Sequence, residues 1–98
     1  MYLIRNVFRT KPGLAKELVK KFKQAASYMK DSGYYNERLL TDVVAGYWTV
    51  VLEFEVENLA VFESATGFTS RPEVKEIMKD YMTLVETGYR EIFKIEWS

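Results

Sequence analysis

Residues 47–56, Tyr-Trp-Thr-Val-Val-Leu-Glu-Phe-Glu-Val, decide how this chain folds. Trp48, Val50, Leu52, Phe54 and Val56 fall on one side, all apolar. Tyr47, Thr49, Val51, Glu53 and Glu55 fall on the other, a mixture. A period of two over ten residues is a strand with one face turned to a core and the other to a wetter surface. Ala45-Gly46, just before it, suits a tight turn, so the stretch Glu37–Val44 is expected to pair with it as a hairpin.

Working outward, residues 2–9 alternate in the same way. Tyr2, Ile4, Asn6 and Phe8 share one face; Leu3, Arg5, Val7 and Arg9 share the other. Pro12 fits the first turn of a helix, where a missing N–H costs little. Leu14, Leu18, Phe22, Ala25 and Met29 then mark one helical stripe, with Lys16, Glu17, Lys20, Lys21 and Lys23 as its solvated side and Gly33 as its stop. After the hairpin, Asn58 can cap a short helix carrying Leu59, Phe62 and Ala65, broken at Gly67. Ser70-Arg71-Pro72-Glu73 reads as a capping box. It opens an amphipathic helix with Val74, Ile77, Met78, Tyr81, Met82 and Val85 on one side, ending at Gly88. Tyr89–Trp97 is the last strand, with Tyr89, Glu91, Phe93, Ile95 and Trp97 on one face.

The order β-α-β-β-α-α-β predicts a single α+β domain over residues 1–98, of ferredoxin-like type: a four-stranded antiparallel sheet, order 4-1-3-2, with helices on one face. The covered face should hold Tyr2, Ile4, Phe8, Trp48, Val50, Leu52, Phe54, Phe93 and Ile95. The opposite face should hold Leu3, Val7, Val51 and Ile92 among Arg5, Arg9, Glu53, Glu55, Lys94 and Glu96. A free sheet face usually reads as plainly polar. The apolar residues here predict that a second copy packs on it by a two-fold, with pairs such as Arg5 and Glu53 neutralising the enclosed charge. The alternative is a solvated face with scattered apolar side chains.

Composition narrows the function classes. The 98 residues include 14 Lys plus Arg and 14 Asp plus Glu, so the net charge is zero. No basic field is available for nucleic acid or an anionic membrane, and neither is expected as a partner. Cysteine and histidine are both absent, which removes a thiol nucleophile, the usual proton shuttle and the common nitrogen and sulfur metal ligands. Glu53, Glu55 and Glu57 alternate along a strand without the loop of oxygen ligands that a hard cation needs, so no metal site is expected. The residues Met1–Arg5 lack the apolar core of a signal peptide, and no apolar run reaches membrane-spanning length. A soluble cytoplasmic protein is expected.

Three stretches carry a family resemblance: "RTKPG" at residues 9–13, "GYWTVVLEFE" with "NLAVFESA" at 46–55 and 58–65, and "SRPEVKEIM" at 70–78. In layout and in these stretches the chain resembles the dimeric α+β barrel superfamily, the antibiotic-biosynthesis-monooxygenase-like and NIPSNAP-like proteins. The resemblance implies a homodimer in which two sheets form a barrel. In the haem-degrading branch of that superfamily an Asn at the place of Asn6 faces the site. The haem-ligating histidine would fall near Met78 and a tryptophan near residues 62–65, and neither is present, so haem degradation is not expected and no cofactor is assigned.

Asn6 is the residue the core pattern does not explain. An amide on a helix-covered strand face must find partners, or its burial costs about 1–3 kcal/mol. It either bonds within the core or faces a cleft open to a ligand. The second reading gives a small-molecule-binding homodimer, with cofactor-free oxygenase or isomerase chemistry on an aromatic or quinone-like substrate. Its expected catalytic residues are Asn6 and Glu91, and its expected pocket wall is Phe22, Trp48, Phe62, Phe68 and Tyr81. Glu91 shares a strand face with Phe93 and Ile95, so burial would raise its pKa. The alternative is a non-catalytic binding, sensing or structural dimer of the same fold.

Overall fold

The alternation that begins at residue 47 becomes a strand two residues later than the sequence suggests. In the computed structural model, which describes residues 1–29, 33–44, 47–60 and 71–98, the elements run β1 (Tyr2–Thr10), α1 (Ala15–Ala26), β2 (Tyr35–Thr41), β3 (Thr49–Val56), α2 (Pro72–Ile77), a 3-10 turn (Tyr81–Leu84) and β4 (Val85–Lys94). Tyr47 and Trp48 take φ of 64° and 55°. That left-handed backbone cannot continue an extended strand, so Trp48 leaves the core-facing series. The Ala45-Gly46 turn, most of the short helix after Asn58, and Ser70 of the expected capping box lie outside the described residues.

The sheet order is β2-β3-β1-β4, antiparallel throughout, as the ferredoxin-like reading requires. Lys11-Pro12-Gly13-Leu14 forms the turn between β1 and α1. The Leu14 N–H donates to the Lys11 carbonyl at 3.1 Å, and Gly13 has φ +82°. Proline followed by a positive-φ glycine is the type II pattern, so Pro12 ends a turn before the helix instead of opening the helix itself. The helix stops at Ala26, ahead of Gly33. It lays Leu18, Phe22 and Ala25 on the sheet, the stripe the sequence marked.

Two apolar clusters fill the space between helices and sheet. One is Ile4, Met29, Tyr34, Phe54 and Val56. The other is Leu18, Phe22, Val50 and Val85, with Phe8 and Tyr81 packed against it. The Phe8 ring tilts against Phe22 at 5.4 Å and meets Tyr81 edge-on at 6.5 Å, geometries that add to simple burial.

The second half corrects three expectations. The long helix does not reach Gly88; α2 ends at Ile77, and Asp80 (φ 64°) reverses the chain into the 3-10 turn. Val74, Met78, Tyr81 and Val85 still turn inward, but from three different elements. Second, Lys21 is not simply solvated: its Nζ donates to the carbonyls of Ile77 and Lys79 at 3.1 and 3.0 Å, satisfying groups left open at the end of α2.

The third concerns β4, which starts at Val85 and pairs with the opposite parity. Ile4 faces Ile92, Asn6 faces Arg90 and Phe8 faces Gly88. Directly paired residues point to one side of a sheet, so Gly88, Arg90 and Ile92 are on the helix side. Tyr89, Glu91 and Phe93 are on the open side, the reverse of the expected arrangement. A register shift at Arg9/Thr10 opposes Thr10 to Val85 and Arg9 to Thr87, which restores Val85 to the core. Gly88 sits within the strand, where an added Cβ would come 3.1 Å from Phe8 Cδ1. Ile95 and Trp97 lie beyond the strand, and Trp97 is exposed.

The open face carries a row of alternating charge, Arg38–Glu53–Arg5–Glu91, one residue per strand. Glu53 is 3% exposed and is paired on both sides, with Arg5 Nε at 3.2 Å and with Arg38. The next row is apolar: Leu40, Val51, Val7 and Tyr89. Among the described residues no helix is long and apolar enough to cross a membrane.

Candidate functional site

Asn6 is set by strand parity on the helix side of β1, between Ile4 of one apolar cluster and Phe8 beside the other. The two clusters do not close around it. A cavity of about 370 Å³ remains, lined by Asn6, Phe8, Phe22, Ala25, Ala26, Met29, Tyr34, Leu52, Phe54, Val74, Lys75, Met78, Tyr81 and Arg90. That volume falls within the range of small-molecule sites. Most of its wall is hydrocarbon and aromatic ring, with the amide of Asn6 on β1 and, among the described residues, the charged groups Lys75 and Arg90 on α2 and β4.

Asn6 is 9% exposed. Its Oδ1 accepts a bond from Arg90 Nε at 2.6 Å, a short contact of the kind a charged donor makes. The pairing follows from register, since the two residues are directly opposed on β1 and β4. Arg90 itself is exposed, so the bond holds a flexible cation against the mouth of the cavity. Tyr34 stacks on Phe54 with ring centroids 4.4 Å apart. Burial pushes its phenol above the usual 10.0, only partly opposed by the nearby Arg90 charge; at neutral pH it is an uncharged hydroxyl.

Of the residues singled out in the sequence, Asn6, Phe22 and Tyr81 meet at this cavity. Two do not. Trp48, its strand series ended by positive φ, lines a separate groove with Ala15, Val19 and Thr41. Glu91 is on the open face, where Arg5 Nη1 donates to its Oε1 at 3.4 Å, because β4 has the opposite parity to that expected. Phe62 and Phe68 lie outside the described residues. Tyr34, which with Tyr35 reads in the sequence as a residue that rims an opening or packs on a partner, lines the cavity; sequence reasoning passed over Lys75 and Arg90. Arg90 becomes visible only once the β1–β4 register is known, and Lys75 reads as an ordinary solvated position of an amphipathic helix. Among the described residues no group of three or more His, Cys, Asp or Glu could hold a metal ion.

The fold is shared with several solved structures. A NIPSNAP family protein from Agrobacterium tumefaciens superimposes with a TM-score of 0.82 at 14% identity, over 99% of this chain and 88% of that one. A candidate antibiotic biosynthesis monooxygenase from Nitrosomonas europaea gives 0.79 at 9% identity, over 99% and 100%. A variant of SnoaB, a cofactor-independent oxygenase from Streptomyces nogalater, gives 0.72 at 17% identity, over 99% and 94%. The architecture is therefore that of the NIPSNAP-like and antibiotic-biosynthesis-monooxygenase-like proteins. No family model matches the chain, and no curated protein matches it.

Proposed function

We propose that this chain is a small-molecule-binding homodimer whose cavity at Asn6 takes an aromatic ligand and oxygenates it without a cofactor. The observation that carries this reading is the cavity itself, an apolar pocket with a buried amide and a cation at its rim. The likeness to a fold that hosts a protein named as a cofactor-independent oxygenase supports the chemistry, although one fold serves many activities. Such a reaction needs an electron-rich substrate that supplies its own electrons. A phenol and O₂ give a quinone and water: one oxygen atom enters the ring, and the other leaves with two hydrogens of the substrate. The described wall holds no carboxylate or imidazole to remove the phenolic proton. Arg90 would instead favour the ionised phenol by its charge, and the aromatic wall would keep water from the reactive form.

Dimerisation would proceed through the open sheet face, where Leu40, Val51, Val7 and Tyr89 form an apolar row beside the ion-pair row. The non-catalytic reading uses the same pocket and differs only in turnover. With 1-naphthol as substrate in air, the expected result is oxygen uptake and naphthoquinone formation proportional to protein, with no cofactor added. Saturable naphthol binding without oxygen uptake would select the binding reading. No binding of naphthol or of a panel of other aromatic compounds would remove the ligand site altogether.

A further inference from the structure

Phe8 is part of the cavity wall, and a glycine outside that wall sets where its ring lies. Gly88 stands directly opposite Phe8 in the β1–β4 pairing. A Cβ added there would come 3.1 Å from Phe8 Cδ1 and 3.5 Å from Cε1. The first separation is below the roughly 3.5–4.0 Å that packed carbon atoms prefer, so any side chain at this position pushes the ring. The described glycines with positive φ are Gly13 and Gly33; Gly88 lies in ordinary strand backbone, and what the position needs is the missing Cβ. The displaced ring has few places to go. Phe22 lies against it at 5.4 Å and Tyr81 meets it edge-on at 6.5 Å. A hollow on the β4 side is lined by Phe8 and by Gly88 itself, so the added carbon would enter that hollow. The space left is the cavity of about 370 Å³, near the lower end for a small-molecule site, where a small loss of width counts.

We propose that Gly88 determines the size of ligand the cavity accepts: without a Cβ it lets the Phe8 ring lie back on β4, which leaves width for a two-ring aromatic compound. Gly88 acts through Phe8 and is therefore a positioning residue. This inference rests on the reading of the cavity as an aromatic site and adds its size limit.

The test titrates 1-naphthol and phenol into the full chain with oxygen excluded, so that binding is read without turnover. In Gly88→Ala the naphthol affinity is expected to fall about tenfold, the scale of one methylene in an apolar pocket, with phenol affinity changed by less than about twofold. In a Phe8→Leu background the same Gly88→Ala change should alter naphthol affinity by less than about twofold, because no ring is left to displace. Phe8→Leu alone widens the same space and is expected to raise affinity for three-ring 9-phenanthrol, relative to naphthol, by about tenfold. Circular dichroism checks that each variant folds; if Gly88→Ala does not, the phenanthrol comparison decides. An unchanged naphthol-to-phenol ratio in Gly88→Ala, an equal effect of Gly88→Ala in the Phe8→Leu background, or an unchanged phenanthrol-to-naphthol ratio in Phe8→Leu would overturn the size limit and leave the aromatic site standing. Binding of neither naphthol nor phenol by the native chain would overturn the site and this inference with it.

Discussion

The two faces of the sheet are built from the same strands and solve opposite problems. On the helix side, β1 and β3 present Ile4, Val50, Phe54 and Val56, all buried beneath α1 and its neighbours. The foreign residue there is polar: Asn6, with a cavity beside it. On the open side the same strands present Arg5 and Glu53, and the foreign residues are apolar. Val7 and Val51 are about as buried as Asn6, at 9% and 8%, although they lie across the sheet from the helices. Arg38, Arg5 and Glu91 bridge over Glu53 in the neighbouring row, and Leu40 and Tyr89 flank the two valines. A covered face can be apolar because helices shield it. An uncovered face hides apolar surface under long side chains held by ion pairs. Each face is therefore most informative where it departs from its own rule.

The contrast can be broken from either side. The largest effect is expected from Phe54→Ala, which empties the middle of one apolar cluster. A loss of about 3–5 kcal/mol, read from the denaturation midpoint, is the cost of such a void, and a loss under 1 kcal/mol would contradict the described core. Tyr89→Glu puts a charge in the apolar row of the open face. If that face joins two copies, sedimentation should show dimer converting to folded monomer with little change in the far-ultraviolet dichroism. A dimer of unchanged strength would place the interface elsewhere.

Smaller effects sharpen the comparison. Asn6→Ala removes the acceptor of Arg90 Nε without exposing a large void. The expected change is about 1 kcal/mol in stability, together with weaker binding of an aromatic ligand such as 1-naphthol at the cavity that Asn6 lines. A larger stability loss with unchanged affinity would make Asn6 purely structural. Lys21→Met leaves two carbonyls at the end of α2 without their cation, and a loss of about 0.5–1 kcal/mol is expected. Hydrogen exchange should quicken in α2 before it does in β1.

The strand pattern of β1 and β3 was readable directly because each had one face almost wholly apolar, which leaves only one parity. The same reading failed at β4. There, Tyr89 and Phe93 alternate against Ile92, and Glu91 and Arg90 fall one on each side. Neither face is clearly the oily one, so period two could not choose. Gly88 stands where the periodicity predicts a helix stop, and it lies instead within β4, where an added Cβ would crowd the Phe8 ring. The long helix was overextended for a related reason: Val74, Met78, Tyr81 and Val85 are spaced for a helix, and burial was satisfied by a turn, a 3-10 segment and a strand start instead. At the cavity, Asn6, Phe22 and Tyr81 were legible as a polar exception and two apolar stripes. Arg90 was not, because its value lies in facing Asn6 across a strand pair.

From the sequence alone came the element order of the first half, the sheet order, the inward set of β1, β3 and α1, and the anomaly at Asn6. The sheet order follows from matching that element order to the ferredoxin-like topology; the rest follows from local periodicity, which fixes side-chain direction before any long-range contact forms. The tertiary structure decided what stands opposite what: the β4 register, the Asn6–Arg90 bond, the row of two carboxylates and two arginines on the open face, and the cavity between two incompletely merged clusters. Those are properties of residues more than eighty positions apart in some cases, and pairing at that distance is chosen by total burial and hydrogen bonding, which no short window of sequence contains.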